Sequence, residues 1–167
     1  MNKRPLTPEK ALERAAARCA AAEYCQADWT RRFTMQGFEP DVVARLVARL
    51  VEDRFVDDRR YARAYVHDKS EYQRWGKQKI LQGLLQKHIS REVIDEALSS
   101  ISDDENRERL LDVLRLKLRS LPASDEPRRK REKLLRFAAS RGYELHAAID
   151  ALDALDLAGN GEGEDDV

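Results

Sequence analysis

The chain has 167 residues, of which 42% are apolar and 37% are charged, with only seven glycines and five prolines. This composition suffices for one or two small domains and favours helix over sheet. No apolar run approaches the ~20 residues that cross a bilayer. The first ten residues lack the apolar core of a secretory signal, so we expect a cytoplasmic protein without a membrane span.

The net charge of zero conceals an uneven distribution along the chain. Residues 1–143 carry all 31 Lys and Arg with 23 Asp and Glu, a net charge of +8, whereas residues 144–167 carry eight acids and no Lys or Arg. Such polarity is typical of a protein with a charged partner or an internal electrostatic brake, and equally of an acidic tail that only adds solubility.

The pattern before residue 54 predicts three helices. They are expected over residues 8–22, over residues 26–36 and from Pro40 onwards. Thr7 before Pro8 is a typical helix start, because threonine accepts from unpaired backbone amides and proline has no amide to satisfy. Gly37 has the position of a residue that ends a helix.

Residues 54–102 carry the densest pattern of the chain. Asp57 and Asp58 precede one helical apolar stripe, Gly76 precedes a second, and a break at residues 88–90 leads to a third. Ser102 and Glu105 then have the spacing of a capping box. Three further helices are expected before residue 121, between residues 128 and 142, and from Tyr143 to about Leu157.

Gly37, His88 and Gly142 mark an internal repeat. When they are set at one origin, apolar residues coincide one, six, ten and thirteen positions later. The columns are Phe38, Ile89 and Tyr143; Val43, Ile94 and Ala148; Val47, Leu98 and Leu152; and Leu50, Ile101 and Leu155. The sequence therefore predicts an all-α fold of three tandem three-helix, helix-turn-helix-like repeats that form an elongated curved array.

The repeat also predicts the domain organisation. The expected segments are a disordered N-terminus (1–6), three-helix units at 7–53, 54–102 and 103–157, and a disordered acidic tail (158–167). The residues expected to specify the fold are Asp57, Asp58, Tyr61, Ala62, Gly76, Ile80, Leu84 and Gly142. Because His88 replaces a glycine at its turn, we expect backbone strain there.

No motif in the sequence is typical of an enzyme. There is no glycine-rich phosphate-binding loop, and His67, His88 and His146 lie in different units without carboxylates at metal-ligand spacing. Cys19 and Cys25 fit neither a redox pair nor a zinc site, so free thiols that are at least half-buried are expected. We therefore expect no catalytic residues, no cofactor and no metal.

The units resemble DNA-binding helix-turn-helix motifs, whose last helix enters the major groove and needs basic or amide side chains. Here the third helix is balanced in the first unit, acidic in the second, and without Lys or Arg in the third. Phosphates would repel such helices. The pattern therefore indicates a packing geometry and disfavours sequence-specific reading of DNA.

Positive charge lies instead on the first and second helices of the units. Residues 107–141 carry twelve Lys and Arg against five acids. A basic patch beside an aromatic ring is suited to a protein surface or a nucleotide base, but Trp75 packed on its own unit beside solvated charges is an alternative. The residues expected to bind a partner are Arg74, Trp75, Lys77, Lys79, Arg128, Arg129, Lys130, Arg131 and Lys133.

Three segments resemble the RecX family, regulators of the RecA recombinase. They are FVDDRRYARAYV (55–66), RWGKQKILQGLLQKHI (74–89) followed by SREVIDEAL, and KLLRFAASRGYELHAAI (133–149). The resemblance covers about residues 8–157. Arg54 and His88 stand where the family has glycine, and Cys25 stands where it has serine. Since a thiol is a poor helix cap, we expect the second helix to be less firmly started.

The resemblance implies a non-enzymatic, cytoplasmic protein that binds RecA, especially its filament on single-stranded DNA. It would inhibit ATPase, filament growth and strand exchange, and so modulate DNA repair and the SOS response. No apolar seam is evident, so we expect a monomer. A stand-alone helical DNA-binding module is the alternative, weak direct DNA binding is compatible with either, and a helical scaffold would show neither property.

Overall fold

The computed structural model describes residues 6–159, and these residues form nine helices and no strand. The helices are α1 (Pro8–Cys19), α2 (Gln26–Met35), α3 (Pro40–Glu52), α4 (Asp58–Glu71), α5 (Lys77–Gln86), α6 (Arg91–Leu98), α7 (Asp103–Arg119), α8 (Pro127–Ser140) and α9 (Leu145–Gly159). The predicted all-α class with repeated helical units is confirmed. None of these helices is long and apolar enough to span a membrane.

The helix starts follow from local chemistry, as predicted. Thr7 Oγ1 accepts from the Lys10 amide at 3.4 Å, and proline occupies the first turn of α1, α3 and α8. Before α7, Ser102 Oγ accepts from the Glu105 amide at 3.2 Å while the Glu105 carboxylate accepts from the Ser102 amide at 2.9 Å. These side chains satisfy amides that have no partner inside the helix.

The predicted repeat is visible in both the backbone and the burial pattern. Gly37, His88 and Gly142 have φ angles of 87°, 57° and 85°, the left-handed region expected of a residue that ends a helix. Every residue of the four apolar columns is buried or half-buried. The expected strain at His88 is confirmed, because a Cβ crowds the backbone in this region.

The described residues divide into two compact units, each with its own core. The N-terminal unit comprises residues 6–65 and 84–97, and the C-terminal unit comprises residues 66–83 and 98–159. The cores include Trp29, Phe33 and Leu50 in the N-terminal unit and Leu110, Leu114 and Leu134 in the C-terminal unit. The boundaries predicted for three repeats stay a prediction. Of the disordered segments predicted at 1–6 and 158–167, residues 1–5 and 160–167 lie outside the described residues, whereas residues 158 and 159 belong to α9.

Both cysteines are free thiols, as predicted, with Cys19 half-buried and Cys25 buried. Burial raises the pKa of Cys25 to about 11, and burial is also the main cause of the raised pKa of Cys19. Both thiols therefore stay protonated at neutral pH, which is the form suited to packing and not to nucleophilic or metal chemistry.

The paired aspartates of the central motif start two different helices. Asp57 Oδ1 accepts from the amides of Arg59 and Arg60 at 2.9 and 3.0 Å, and thereby caps α4. Asp58 accepts from the backbone amide of Gln26 at 2.9 Å and from its side-chain amide at 3.1 Å. The start of α2, where Cys25 is a poor cap, thus receives its acceptor from another helix.

Replacing Asp57 with alanine is expected to lower the free energy of unfolding by about 1 to 2 kcal/mol, because two amides of α4 lose their acceptor. Asp58→Ala is expected to cost about 1 kcal/mol by freeing the start of α2. Urea denaturation followed by circular dichroism measures both. Asp57→Asn is the control, since asparagine also caps helices; a loss as large as that of alanine would contradict the capping role.

Candidate interaction surface

The turn between α4 and α5 is held by backbone hydrogen bonds to the turn between α8 and α9. Gly76 N–H donates to the Arg141 carbonyl at 2.8 Å, and Gln78 N–H donates to the Gly142 carbonyl at 3.1 Å. A Cβ on Gly76 would lie 2.8 Å from Tyr143 N, closer than real Cβ atoms approach. The close approach of two backbones therefore requires glycine at position 76.

Trp75, expected to bind a partner, is half-buried beside this turn. The ammonium groups of Lys69 and Lys79 lie over its ring, 4.8 and 4.5 Å from the centroid. Lys79 Nζ also donates to the Ser140 carbonyl at 3.0 Å. Such cations are attracted by the negative face of the ring. The Trp75 ring thus contacts two lysines of the same compact unit, and its role in binding a partner stays a prediction.

The other two predicted residues of this turn differ in their surroundings. Lys77 forms an ion pair with the exposed Asp103, with Nζ and Oδ1 2.9 Å apart, and its hydrogen bond lowers the pKa of Asp103. Arg74 has a left-handed backbone with φ of 54°, and its carbonyl accepts from the Tyr143 hydroxyl at 3.1 Å. Its side chain is exposed. Arg74 is therefore the better placed of the two to meet a partner.

In the basic run at the start of α8, residues 128–133, the last cations contact other residues of the C-terminal unit and the first two are exposed. Lys133 Nζ lies 2.6 Å from Asp125 Oδ2, and a nitrogen of Arg131 lies 2.7 Å from Asp153 Oδ1. Lys130 Nζ donates to the Ala123 carbonyl at 3.3 Å.

Arg128 and Arg129, at the start of this run, are exposed. The Arg128 side chain is 90% exposed, although its Nε lies 3.4 Å from Glu132. So exposed a contact is screened by solvent and contributes little to stability. Arg128 and the exposed Arg129 are therefore both accessible to a charged partner. Their role in binding stays a prediction.

An open groove of about 510 Å³ lies beside the turn that contains Arg74. It was not predicted from the sequence. It lies between the turn after α4 and the helices α7 and α8. Its lining residues are Tyr72, Gln73, Arg74, Val113, Leu116, Lys117, Ser120, Phe137 and Arg141. One signal was present in the sequence, since Leu116 falls outside the stripe of leucines that α7 buries. We name it the α7–α8 groove.

Comparison with known proteins places the chain in a family. A family model of the second three-helix domain of RecX matches residues 57–98. The regulatory protein RecX of Mycobacterium sp. (strain JLS) is 31% identical over 140 residues, which cover 82% of this chain and 76% of that protein. The chain belongs to the RecX family.

Other RecX proteins differ in how much of their length is matched. RecX of Clostridium botulinum (strain Eklund 17B / Type B) is 36% identical over 113 residues, which cover 67% of this chain and 52% of that protein. The chain thus spans about half the length of this relative. The crystal structure of RecX from Lactobacillus salivarius has a TM-score of 0.79 at 17% identity, covering 90% of this chain and 97% of that one. This similarity shows the RecX fold.

Proposed function

We propose that this chain binds the RecA recombinase and its filament on single-stranded DNA, and inhibits ATPase, filament growth and strand exchange. It would thereby modulate DNA repair and the SOS response, as a cytoplasmic monomer without catalysis of its own. Family membership carries the proposal, because relatives matched over 76% and 81% of their length are named regulatory protein RecX.

The charge of the C-terminal unit supports a charged partner. Arg74, Arg128 and Arg129 are exposed, and the helices around them carry an excess of basic residues. A nucleoprotein filament presents phosphates and acidic protein side chains. Complementary charge would speed and orient the encounter more than it would add affinity.

A stand-alone DNA-binding module is the second candidate, and the same basic residues favour it. It differs in what it requires. Direct binding to DNA releases counterions, so its affinity falls steeply with salt and needs no recombinase. A regulator of the filament needs RecA to be present.

The first expected result is inhibition of the RecA ATPase on single-stranded DNA at concentrations where the naked DNA stays unbound. The ATPase is titrated with the purified chain, and binding to the same DNA without RecA is measured in parallel by fluorescence anisotropy. Inhibition that only follows coating of the DNA would instead support the DNA-binding module. Absence of both effects would contradict both functions.

Charge reversal of Arg128, Arg129 and Lys130 to glutamate is expected to raise the half-inhibiting concentration on the order of tenfold at low salt. The change should shrink as salt is added, because the charges are exposed and screened. The matched control reverses Lys10, Arg14 and Arg31, three exposed cations of the N-terminal unit. Unchanged inhibition at low salt would exclude the start of α8 from the binding surface.

A further inference from the structure

The α7–α8 groove exposes two large side chains that are normally buried or half-buried. Tyr72 is 77% exposed and Leu116 is 63% exposed. On α7, the helix that carries Leu116, Leu110 and Leu114 are 1% and 0% exposed in the core of the C-terminal unit. Covering apolar surface of this kind removes it from water, which favours binding. The groove therefore has an apolar source of affinity.

The cations of the groove are not matched by acids. Arg74, Lys117 and Arg141 line it, and none of its lining residues in the described part of the chain is Asp or Glu. A second groove in the C-terminal unit, of about 360 Å³, is lined by more acids than Lys and Arg. Its lining includes Lys77 and Arg107 together with Asp103, Glu144 and Asp150. The α7–α8 groove thus favours an anionic occupant.

The aromatic rings decide which kind of anion fits. Lys117 Nζ and Arg141 Cζ lie over the Phe137 ring, 5.2 and 5.3 Å from its centroid. The Trp75 ring next to Arg74 also holds two lysines, whereas the exposed Tyr72 ring meets His67 edge-on, with centroids 5.9 Å apart, and is the one open ring of the described groove lining. Single-stranded nucleic acid needs open ring faces on which bases stack. A carboxylate, in contrast, can pair with Lys117 or Arg141 while these cations stay over the Phe137 ring.

We propose that the α7–α8 groove binds an acidic, apolar segment of a protein partner. An apolar side chain of that segment covers Leu116 and Tyr72, and flanking carboxylates meet Arg74, Lys117 and Arg141. The assignment to RecA rests on the proposed function, in which the partner is the filament; the chemistry of the groove stands apart from it.

The test maps two probes on the full-length, isotope-labelled chain by nuclear magnetic resonance. One probe is an amphipathic Leu/Glu peptide, and the other is an oligothymidylate of the same net charge. We expect the peptide to shift the amide signals of residues 72–74, 113–120 and 137–141, and to bind more tightly than the oligonucleotide. Tighter oligonucleotide binding at these residues, or peptide shifts elsewhere, would overturn the proposal.

Variants separate the groove from general surface effects. Leu116→Glu combined with Lys117→Gln is expected to weaken peptide binding at least about tenfold. Leu145→Glu is the matched control, because Leu145 is 61% exposed on α9 and does not line the groove. An equal loss in the control, or no loss in the double variant, would contradict the proposal.

The RecA assay distinguishes the two proposals. If the unchanged chain inhibits the filament and the double variant inhibits it equally, the assignment of the groove to RecA fails and the regulatory function stands. If the unchanged chain does not inhibit RecA but the peptide maps to the groove, the regulatory function fails and the acidic, apolar partner is another protein.

Discussion

Replacing Gly142 with alanine is expected to lower the free energy of unfolding by about 3 kcal/mol, against about 1 kcal/mol for the same change at Gly37. The two residues have nearly equal φ angles, 85° and 87°, so the left-handed backbone costs the same at both. They differ in the space around them. A Cβ on Gly142 would lie 2.9 Å from Lys79 Cα, whereas one on Gly37 would have nothing within 4 Å.

Urea denaturation of the two variants measures this difference directly, with helix content followed by circular dichroism. Gly76→Ala is an informative third variant, since its Cβ would overlap the backbone at Gly142 and Tyr143 although Gly76 has no positive φ. We expect its loss to exceed that of Gly37→Ala. Equal losses for Gly142→Ala and Gly37→Ala would show that backbone conformation alone accounts for both.

Much of the fold was predictable because its determinants are local or periodic. Gly37 and Gly142 end their helices with the expected left-handed backbone, and Ser102 caps α7 through its neighbour Glu105. The apolar columns that define the repeat are buried because a helix presents residues three and four apart on one face. Alignment with the two glycines also identified His88, whose strained backbone breaks the usual preference for glycine.

The remaining features depend on partners that are distant in the chain. Gly76 was interpreted as the start of a helix, but what requires it is the backbone at Gly142 and Tyr143. Asp58 was expected to act at the start of its own helix, but it accepts a hydrogen bond from the Gln26 amide at the start of α2. Helical periodicity carries no information on which turn meets which.

The candidate site was only partly predictable for the same reason. The basic run at the start of α8 is evident in the sequence, but the pairing of Lys133 with Asp125 and of Arg131 with Asp153 is not. The α7–α8 groove joins Tyr72 with Leu116, which belong to different predicted units. A single leucine outside a stripe is an ordinary surface residue until the tyrosine and three cations are placed beside it.

The second large effect is expected at Asp28, whose carboxylate bonds Lys87 in the N-terminal unit. Asp28 Oδ1 lies 2.7 Å from Lys87 Nζ, and the two side chains are 12% and 34% exposed. Burial by itself would raise the pKa of Asp28. Hydrogen bonds from Lys87 and Cys25 outweigh the effect of burial and hold the pKa below its usual value. The ionised form is therefore the one that the fold stabilises.

Asp28→Asn is expected to lower the free energy of unfolding at neutral pH by about 2 kcal/mol. A fully buried pair would lose about 3 to 5 kcal/mol, and the partial exposure of Lys87 reduces this. Asp95→Asn is the matched control. Its pair with Arg91 has a similar distance, 2.8 Å, but side chains that are 56% and 64% exposed. We expect a loss there below about 0.5 kcal/mol.

The dependence on pH tests whether charge is the cause. Because the folded pKa of Asp28 is depressed, its contribution is complete above the unfolded pKa of about 3.9 and is lost as the pH falls through the folded value. The difference between the unchanged chain and Asp28→Asn should therefore narrow below about pH 4. Urea denaturation at several pH values measures it. A difference that persists unchanged in acid would assign the loss to the shape of the amide, since by then the carboxylate has no charge to lose.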